Sequence, residues 1–474
     1  MSWGIKMAAQ DGSRKFDWKI HPQAEAFLEL RVSDFLKQNR AARELSDRML
    51  NESSTRFFDW IDHIVIPNEM INVDTLTDLD FKQDKGVRKP RGTKVYINEG
   101  SNLFPVLVSP GSHTQVALKP EILGHFLQMT GLYYNWNDDL SALDEQSRPK
   151  TDYLGRSLGM FQSALMSDED QSELWAVERR GFNGFSDPKQ HHDREEYLSN
   201  LQHFMMRRRH FSHDREGLET LLDTVKEFVK GSRAELVADA FFRTERQFWQ
   251  SRDRGGMIQR ALQDRLGLGW GNHDHHTYRS SRENFHLLIE LFETMGFLPR
   301  EQFFAADGGW GAQVLEHPIC GIVIFADLDI TERERGIDFA HEEMNEHKDV
   351  GTVGLWVSLH GESILQGGMH HLAALVDFDQ AEAGLMNHGV MRMKPFSNFK
   401  FLKQAFVESE RRPVVQARLR SAVDRGYIRA ERQGFFEQIG AIGSHLELIE
   451  RRQGFKGFNQ NSVSIIIQAT DPRI

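Results

Sequence analysis

Three side chains, far apart in the chain, are of the kinds that share a metal ion: His275, His371 and Glu447. Each sits in a short stretch that reads as a β-strand. In GSHLELIE (443–450), Leu446 and Leu448 face one side of the strand, and His445, Glu447 and Ile449 face the other. A carboxylate there is costly to bury unless something pairs with it. Two imidazoles and a carboxylate around one divalent ion would satisfy that need. Such a set leaves three positions of an octahedral ion open. That is room for a chelating substrate and O2, as at a non-haem Fe(II) centre. Zinc accepts the same residue types, so the donors do not choose the metal. The competing reading is three unrelated polar residues in strands.

The elements that must position these residues can be read around them. HDHHTYR (273–279) is a short strand. SRENFHLLIELFETMGF follows as a helix, with Ser280 or Ser281 as N-cap and Gly296 at its end. Phe285, Leu288, Ile289, Leu291 and Phe292 form its apolar face. EQFFAAD, GAQVLEH and ICGIVIFADLD give three more strands, so this unit reads βαβββ. A second unit is expected from VGTVGLWVSLHG and GMHHLAALV as strands, DFDQAEAGLMNHGV as a helix and GSHLELIE as the closing strand. A helical insertion is expected over roughly 400–440. A Gly-rich turn (Gly454, Gly457) and a last apolar segment, 463–469, complete the chain.

Upstream, 1–55 reads as helical. FFDWIDHIVIPNEM, 93–98 and 103–108 read as strands, and KPEILGHFLQMTGL as a helix. Asp62-His63 echoes Asp274-His275, each pair opening a strand. Residues 136–265 are charged and mostly helical in pattern, with 216–231 and 233–250 the strongest helices. The expectation is an α+β protein of three parts. Residues 1–135 are N-terminal helix plus a small α+β unit, a degenerate βαβββ in form. Residues 136–265 are a helical region, and 266–474 are the metal domain.

Composition narrows the class. The chain has 474 residues, 39% hydrophobic and 27% charged, with a net charge of −11. That charge argues against a general nucleic-acid binder. The single cysteine, Cys320, permits no internal disulfide and no thiolate-cluster metal site, which points to a reducing cytoplasm. No apolar run approaches membrane-span length, and the first residues lack a signal-peptide core. Two roles are open to the helices of 136–265: covering the site, or an interface in a homo-oligomer.

Rival motifs fail on specific residues. GNHDHH resembles one block of calcineurin-like phosphoesterases, but their other blocks are missing. HEEMNEH lacks the second His of HExxH, having Asn345 in its place. Arg207, Arg208, Arg209 and His210 read as a solvated helix face. His191, His192, His210 and His213 read as solvent-facing, and His63 as a packed strand residue. His370 is expected on the strand face opposite His371. His445 shares the face of Glu447 and is a candidate to support it.

The strand–helix–three-strand unit with a leading His resembles the vicinal oxygen chelate superfamily. LELIERRQGFKGFN and MHHLAALV resemble the metal-Glu and second-His segments of 4-hydroxyphenylpyruvate dioxygenases. HHTYRSSRENFHLLIELFETMGFLPREQFF and MHHLAALVDFD resemble 2-oxoadipate dioxygenase/decarboxylases, the hydroxyglutarate synthases. The likeness covers roughly 271–474. It implies a barrel of paired βαβββ modules with Fe(II) on His275, His371 and Glu447. It also implies that Arg279, four residues after the first His, holds a substrate carboxylate. The implied reaction is oxidative decarboxylation and hydroxylation of one 2-oxo acid by O2, without separate 2-oxoglutarate. Gln313 is a candidate polar contact, and Lys456 and Asn459 are candidates for the lid formed by the final segment. The alternatives are dioxygenation of an aromatic 2-oxo acid, ring cleavage, or a non-catalytic protein that binds metal or a small molecule.

Overall fold

Apolar residues recur at helical spacing from Ala24 to Met49, and the chain there forms α1 (Pro22–Gln38) and α2 (Arg40–Ser53). Asn39 caps α2, its side chain accepting from the Ala42 N–H. The computed structural model describes residues 18–132, 160–186, 193–305, 308–459, 464, 467–468 and 470–473. His191, His192 and most of the segment 463–469 lie outside the described residues.

A βαβββ module follows: β1 (Ile61–Pro67), α3 (Val73–Asp78), β2 (Lys82–Asp84), β3 (Lys94–Ile97) and β4 (Val106–Ser109). β1 runs parallel to β4, which places the last strand beside the first. A second run adds β5 (Thr114–Leu118), α4 (Leu123–Thr130), β6 (Phe161–Glu169) and β7 (Ser172–Arg179). β5 joins antiparallel to β1 and parallel to β7. Among the described residues the seven strands take the order β2-β3-β4-β1-β5-β7-β6.

The stretch 136–265 was expected to be helical, and this hairpin is a departure from it. β6 and β7 turn at Asp170 and Gln171, both at positive φ, a type I′ geometry made without its usual Asn-Gly. With no turn signature, and with charged residues on its outer face, the hairpin reads as polar helix. Helices do fill the rest: α5 (Asp193–Met206), α6 (Asp214–Gly231), α7 (Ala234–Gln250) and α8 (Arg254–Asp264). Phe241 and Phe242 of α7 are fully buried, each contributing about 1.5–3 kcal/mol. No described helix is long and apolar enough to cross a membrane.

The C-terminal sheet repeats the plan. β8 (His273–Arg279), α9 (Phe285–Thr294), β9 (Leu298–Ala305), β10 (Trp310–Glu316) and β11 (Val323–Asp329) form one module, with β8 parallel to β11. The helix starts later than Ser280 or Ser281 would put it, behind Asn284. Ser281 instead donates to Glu362 Oε1.

VGTVGLWVSLHG, expected as a strand, is a helix, α10 (Thr352–His360). The Asp329 carboxylate accepts from the N–H groups of Gly351, Val353 and Gly354 at its start. Val353, Leu355, Trp356, Val357 and Leu359 are all buried, so neither a helical nor a strand period is visible.

The second module is β12 (His371–Leu375), α11 (Phe378–Met386), β13 (Ser397–Phe399), β14 (Leu402–Phe406) and, after an insertion, a fourth strand. The insertion holds β15 (Arg411–Arg412), α12 (Gln416–Asp424), α13 (Gln433–Ile439) and β16 (Ala441–Ile442), and β17 (His445–Arg451) closes the module. LKQAF, expected to begin the helical insertion, is β14 and pairs antiparallel with β17. β8 and β12 join the modules antiparallel. The eight described strands run β13-β14-β17-β12-β8-β11-β10-β9. The first strand of each module therefore lies at the centre of the sheet. β12 pairs in parallel with β17, and this brings residues 275, 371 and 447 onto neighbouring strands.

Candidate metal centre

His371 stands opposite His445 in the β12–β17 register, and Glu447 opposite Ala373. Residues two apart share a strand face, so His371 and Glu447 project together, with His275 beside them from β8. The three ligand atoms converge. His371 Nε2 lies 3.0 Å from Glu447 Oε2, His275 Nε2 lies 3.3 Å from the same oxygen, and the two Nε2 atoms are 3.4 Å apart. Ligands about 2.1 Å from one ion stand roughly 3.0 Å apart in a facial octahedral set and roughly 3.4 Å in a tetrahedral one. The observed trio falls in that interval, and all three residues are buried.

Each donor is held from behind. Asp274 Oδ2 is 2.8 Å from His275 Nδ1, which leaves Nε2 of that ring for the shared point. His371 Nδ1 lies 3.2 Å from His370 Nδ1, so with His371 Nε2 as ligand its Nδ1–H would donate to the neighbouring imidazole. Gln404 Nε2 donates to Glu447 Oε1 at 2.8 Å. The Thr277 hydroxyl lies 2.7 Å from His371 Nε2, on the lone pair that a metal would use.

Asp274 is itself gripped by Arg451, with Nε to Oδ1 at 2.5 Å and Nη2 to Oδ2 at 3.0 Å. Arg451 Nη1 also donates to the Gly457 carbonyl at 2.7 Å. This carries the support on to the segment that bears Phe458, whose ring meets His275 edge-on at 4.9 Å.

Burial raises a carboxyl and lowers an imidazole, and at Glu447 and His275 charge outweighs it. The two histidines hold Glu447 down at about 2. Glu447 and Asp274 push His275 up to about 9. His371 goes the other way, because burial dominates and His275 is a like charge beside it.

A cavity of about 50 Å³ opens over the trio. Its wall combines Phe325, Phe396, Phe406, Phe458 and Ile467 with Thr277, Arg279, Asp327, His370 and Gln404. Arg279 is 1% exposed, and its Nη2 donates to Thr470 Oγ1 at 3.1 Å while Nε and Nη1 have no hydrogen-bond partner. Asp327 stands opposite Arg279 in the β8–β11 register, 3.5 Å from Nε. Burial pushes its carboxyl up to about 7, against the pull of Arg279.

Three expected contacts lie elsewhere. The Gln313 amide donates to the Glu301 and Val314 carbonyls and takes no part in the cavity wall. Its odd register on β10 turns it away from Ala312 and Val314, which pack in the apolar cluster with Phe458. Lys456 reaches outward to Glu316 at 2.9 Å. Asn459 donates to the Phe396 carbonyl, also outside the cavity wall.

Two further expectations are corrected. His370 does not point away from His371 but lines the same cavity: it stands in a bend just ahead of β12, where strand alternation does not apply. Arg207 and Arg209 are not solvated: both are buried on Glu245, at 2.9 and 2.5 Å. Their charge had a partner 36–38 residues away, beyond the reach of local pattern. Asp327, Thr277 and Gln404 went unnoticed in the sequence. Strand parity would have found Thr277, two residues from His275.

The N-terminal sheet holds an echo of the centre. His63 Nδ1 lies 2.6 Å from Asp62 Oδ2, and Arg179 forks onto Asp62 at 2.7 and 2.8 Å. Arg179 ends β7 as Arg451 ends β17. Trp175 pairs with Ala117 where Glu447 pairs with Ala373, and Gln115 falls where His371 does. Asp, His and Arg are retained, and two of the three donors are replaced.

No protein-family model and no curated protein matches the sequence. Solved structures resemble it distantly. A variant of 4-hydroxymandelate synthase from Streptomyces coelicolor is 11% identical, covering 89% of this chain and 99% of that one, with a TM-score of 0.28. A protein from Ralstonia eutropha JMP134 grouped with the glyoxalase superfamily is 12% identical over 48% of this chain and 87% of its own, with a TM-score of 0.33. A fusion of a xylose isomerase-like TIM barrel with 4-hydroxyphenylpyruvate dioxygenase is 9% identical, covering 89% of this chain and 53% of that one, with a TM-score of 0.22. At such values the strand order itself must settle the architecture. Paired βαβββ modules, joined through their first strands, give this α+β chain a fold of the vicinal oxygen chelate type.

Proposed function

We propose that this protein is a non-haem Fe(II)-dependent dioxygenase that oxidatively decarboxylates and hydroxylates a 2-oxo acid. The observation that carries the reading is the trio of His275, His371 and Glu447, 3.0–3.4 Å apart beneath a cavity that contains a buried guanidinium. The donor set fits a divalent ion: each ligand's other polar atom is occupied, so Nε2, Nε2 and Oε2 are the atoms left to converge. Bound there, Fe(II) would supply the redox chemistry that activates O2 and the open positions that accept a 2-oxo carboxylate.

The rest falls to this chain's side chains. Arg279 Nε and Nη1 are buried without hydrogen-bond partners, and a substrate carboxylate would satisfy both. Asp327 Oδ1, also unpartnered, would accept from the same substrate or hold a proton beside it. Thr277 gives up His371 Nε2 and gains a hydroxyl free to face the substrate. The four phenylalanine rings keep water from the reacting group. In balance, one 2-oxo acid and one O2 give CO2 and an acid one carbon shorter that bears a new hydroxyl.

The buried Arg279 favours an aliphatic diacid such as 2-oxoadipate. The ring-lined wall favours the second reading, an aromatic 2-oxo acid. Fe(II)-loaded protein should consume O2 and release CO2 in equal amounts with the preferred acid. Arg279→Met should lower kcat/KM for a diacid by about 100-fold or more, and for an aromatic acid far less. Absence of substrate-dependent O2 uptake across both classes would sink the proposal.

A further inference from the structure

A second cavity, about 70 Å³, lies where the two sheets and α7 meet, outside the metal centre. That is several times the ~10–15 Å³ that admits one water. Its charged lining comes from both halves of the chain: Lys119 and Glu121 just after β5, Arg179 at the end of β7, and Asp239, Arg243 and Arg246 from one face of α7. His273, at the start of β8, closes the far side.

The carboxylates around this cavity are already committed. Asp62 is bound by Arg179 on both oxygens and by His63 Nδ1 on one. Glu121 accepts from Trp270 N–H and Arg260, and Glu178 accepts from Leu123 N–H and Arg180. Asp239 accepts from the Tyr197 hydroxyl. Arg243 and Arg246 reach Glu178 and Glu121 only at 3.6 Å, and the Nε of each is buried without a hydrogen bond. Lys119 has no side-chain hydrogen bond or ion pair among the described residues, and His273 Nδ1 is buried without a partner. Arg246 is 4% exposed. Cations thus outnumber the carboxylates that could neutralise them, around a space that is roomy and polar. A buried cation held by a long ion pair, or by none at Lys119, is costly, and an anion in the space would lower that cost.

We infer that this cavity is a binding site for one compact oxyanion, a phosphate or a small carboxylate, gripped by Lys119, Arg243 and Arg246. Arg forks suit an anion that presents two oxygens, and the volume excludes a nucleotide. Burial also depresses the Lys119 ammonium, as expected of a cation that waits for a counter-charge.

The test is titration of the full chain with inorganic phosphate and with malonate, against chloride at matched ionic strength. Calorimetry should show one saturable site, and Tm should rise by about 2–4 °C near saturation. The tighter of the two anions identifies the class. Lys119→Met should weaken binding at least tenfold, and Lys119→Arg should preserve it. Two results overturn the inference: a response to both anions no larger than to chloride, or saturable binding that Lys119→Met leaves unchanged, which would place the anion elsewhere, the metal centre included. Should Lys119→Met fail to fold, Arg243→Gln makes the same comparison, and unchanged affinity in it counts equally against the site.

Discussion

Substituting Asp274 by Asn separates two jobs that one carboxylate does. It holds His275 Nδ1–H at 2.8 Å and neutralises Arg451, whose side chain is 4% exposed. Asn keeps an acceptor for the imidazole but loses the charge. Loss of an orienting carboxylate behind a metal histidine costs about 10–100-fold in metal affinity, or about 1.4–2.7 kcal/mol. The uncompensated Arg451 adds a stability loss of about 3–5 kcal/mol. The chain supplies its own control. Asp62→Asn alters the same contacts to His63 and Arg179, where among the described residues neither Asp62 nor His63 belongs to a metal trio. Both variants should lose comparable stability in urea denaturation, and only Asp274→Asn should lose Fe(II) or Co(II) affinity by calorimetry. The sign with pH also follows. Burial pushes Asp62 and Asp274 up, but the Arg and His partners outweigh it and hold both well below the carboxylate range. Their contribution is present above the ordinary carboxyl pKa and fades as pH falls below it, so each variant should approach the wild type in acid. Equal metal loss in both variants, or none in Asp274→Asn, would refute the reasoning.

Other outcomes follow from the same geometry. His275→Ala, His371→Ala and Glu447→Ala should each bind less than a tenth of the metal at micromolar Fe(II), read by elemental analysis, because each removes one of three donors. Glu362, buried and near the like charge of Asp214, has its carboxyl pushed up to about 7. The folded state then binds a proton more tightly than the unfolded, so this group costs stability as pH rises from about 4.5 to 7 and beyond. Glu362→Gln should therefore stabilise by up to about 3 kcal/mol at pH 8 and by almost nothing at pH 4, measured in urea. Gly351→Ala should destabilise by about 1–3 kcal/mol, since a Cβ would fall on the Asp329 carboxylate that caps α10.

Strand β8 and helix α9 were legible because their faces differ: His275, Thr277 and Arg279 share one side of β8, and α9 buries a single apolar stripe. The donor types were legible in their short strands, whereas the shared face of His371 and Glu447 follows only from the β12–β17 register. Legibility failed where no face is exposed. α10 is buried along its length and shows no period. β14 begins LKQAF, a pattern that suits either element until its partner β17 is known. The β6–β7 turn lacks the residues that usually announce one. Gln313, Lys456 and Asn459 were nominated by neighbourhood, and side-chain direction removed all three from the cavity wall. Asp327 escaped because its relation to Arg279 exists only across a parallel pair 48 residues apart (279 to 327).

The Asp–His–Arg motif recurs in the N-terminal sheet. The same three residue types occupy the same strand positions twice, beside the same join between first strands. The copy ending at Arg179 bears Gln115 and Trp175 where the other has His371 and Glu447, yet its ion pair persists. A buried Arg cannot be stranded without cost, so the pair is needed even without the donors. In the N-terminal sheet the Asp–Arg pair and its His stand beside Gln115 and Trp175, so there the pair serves the fold.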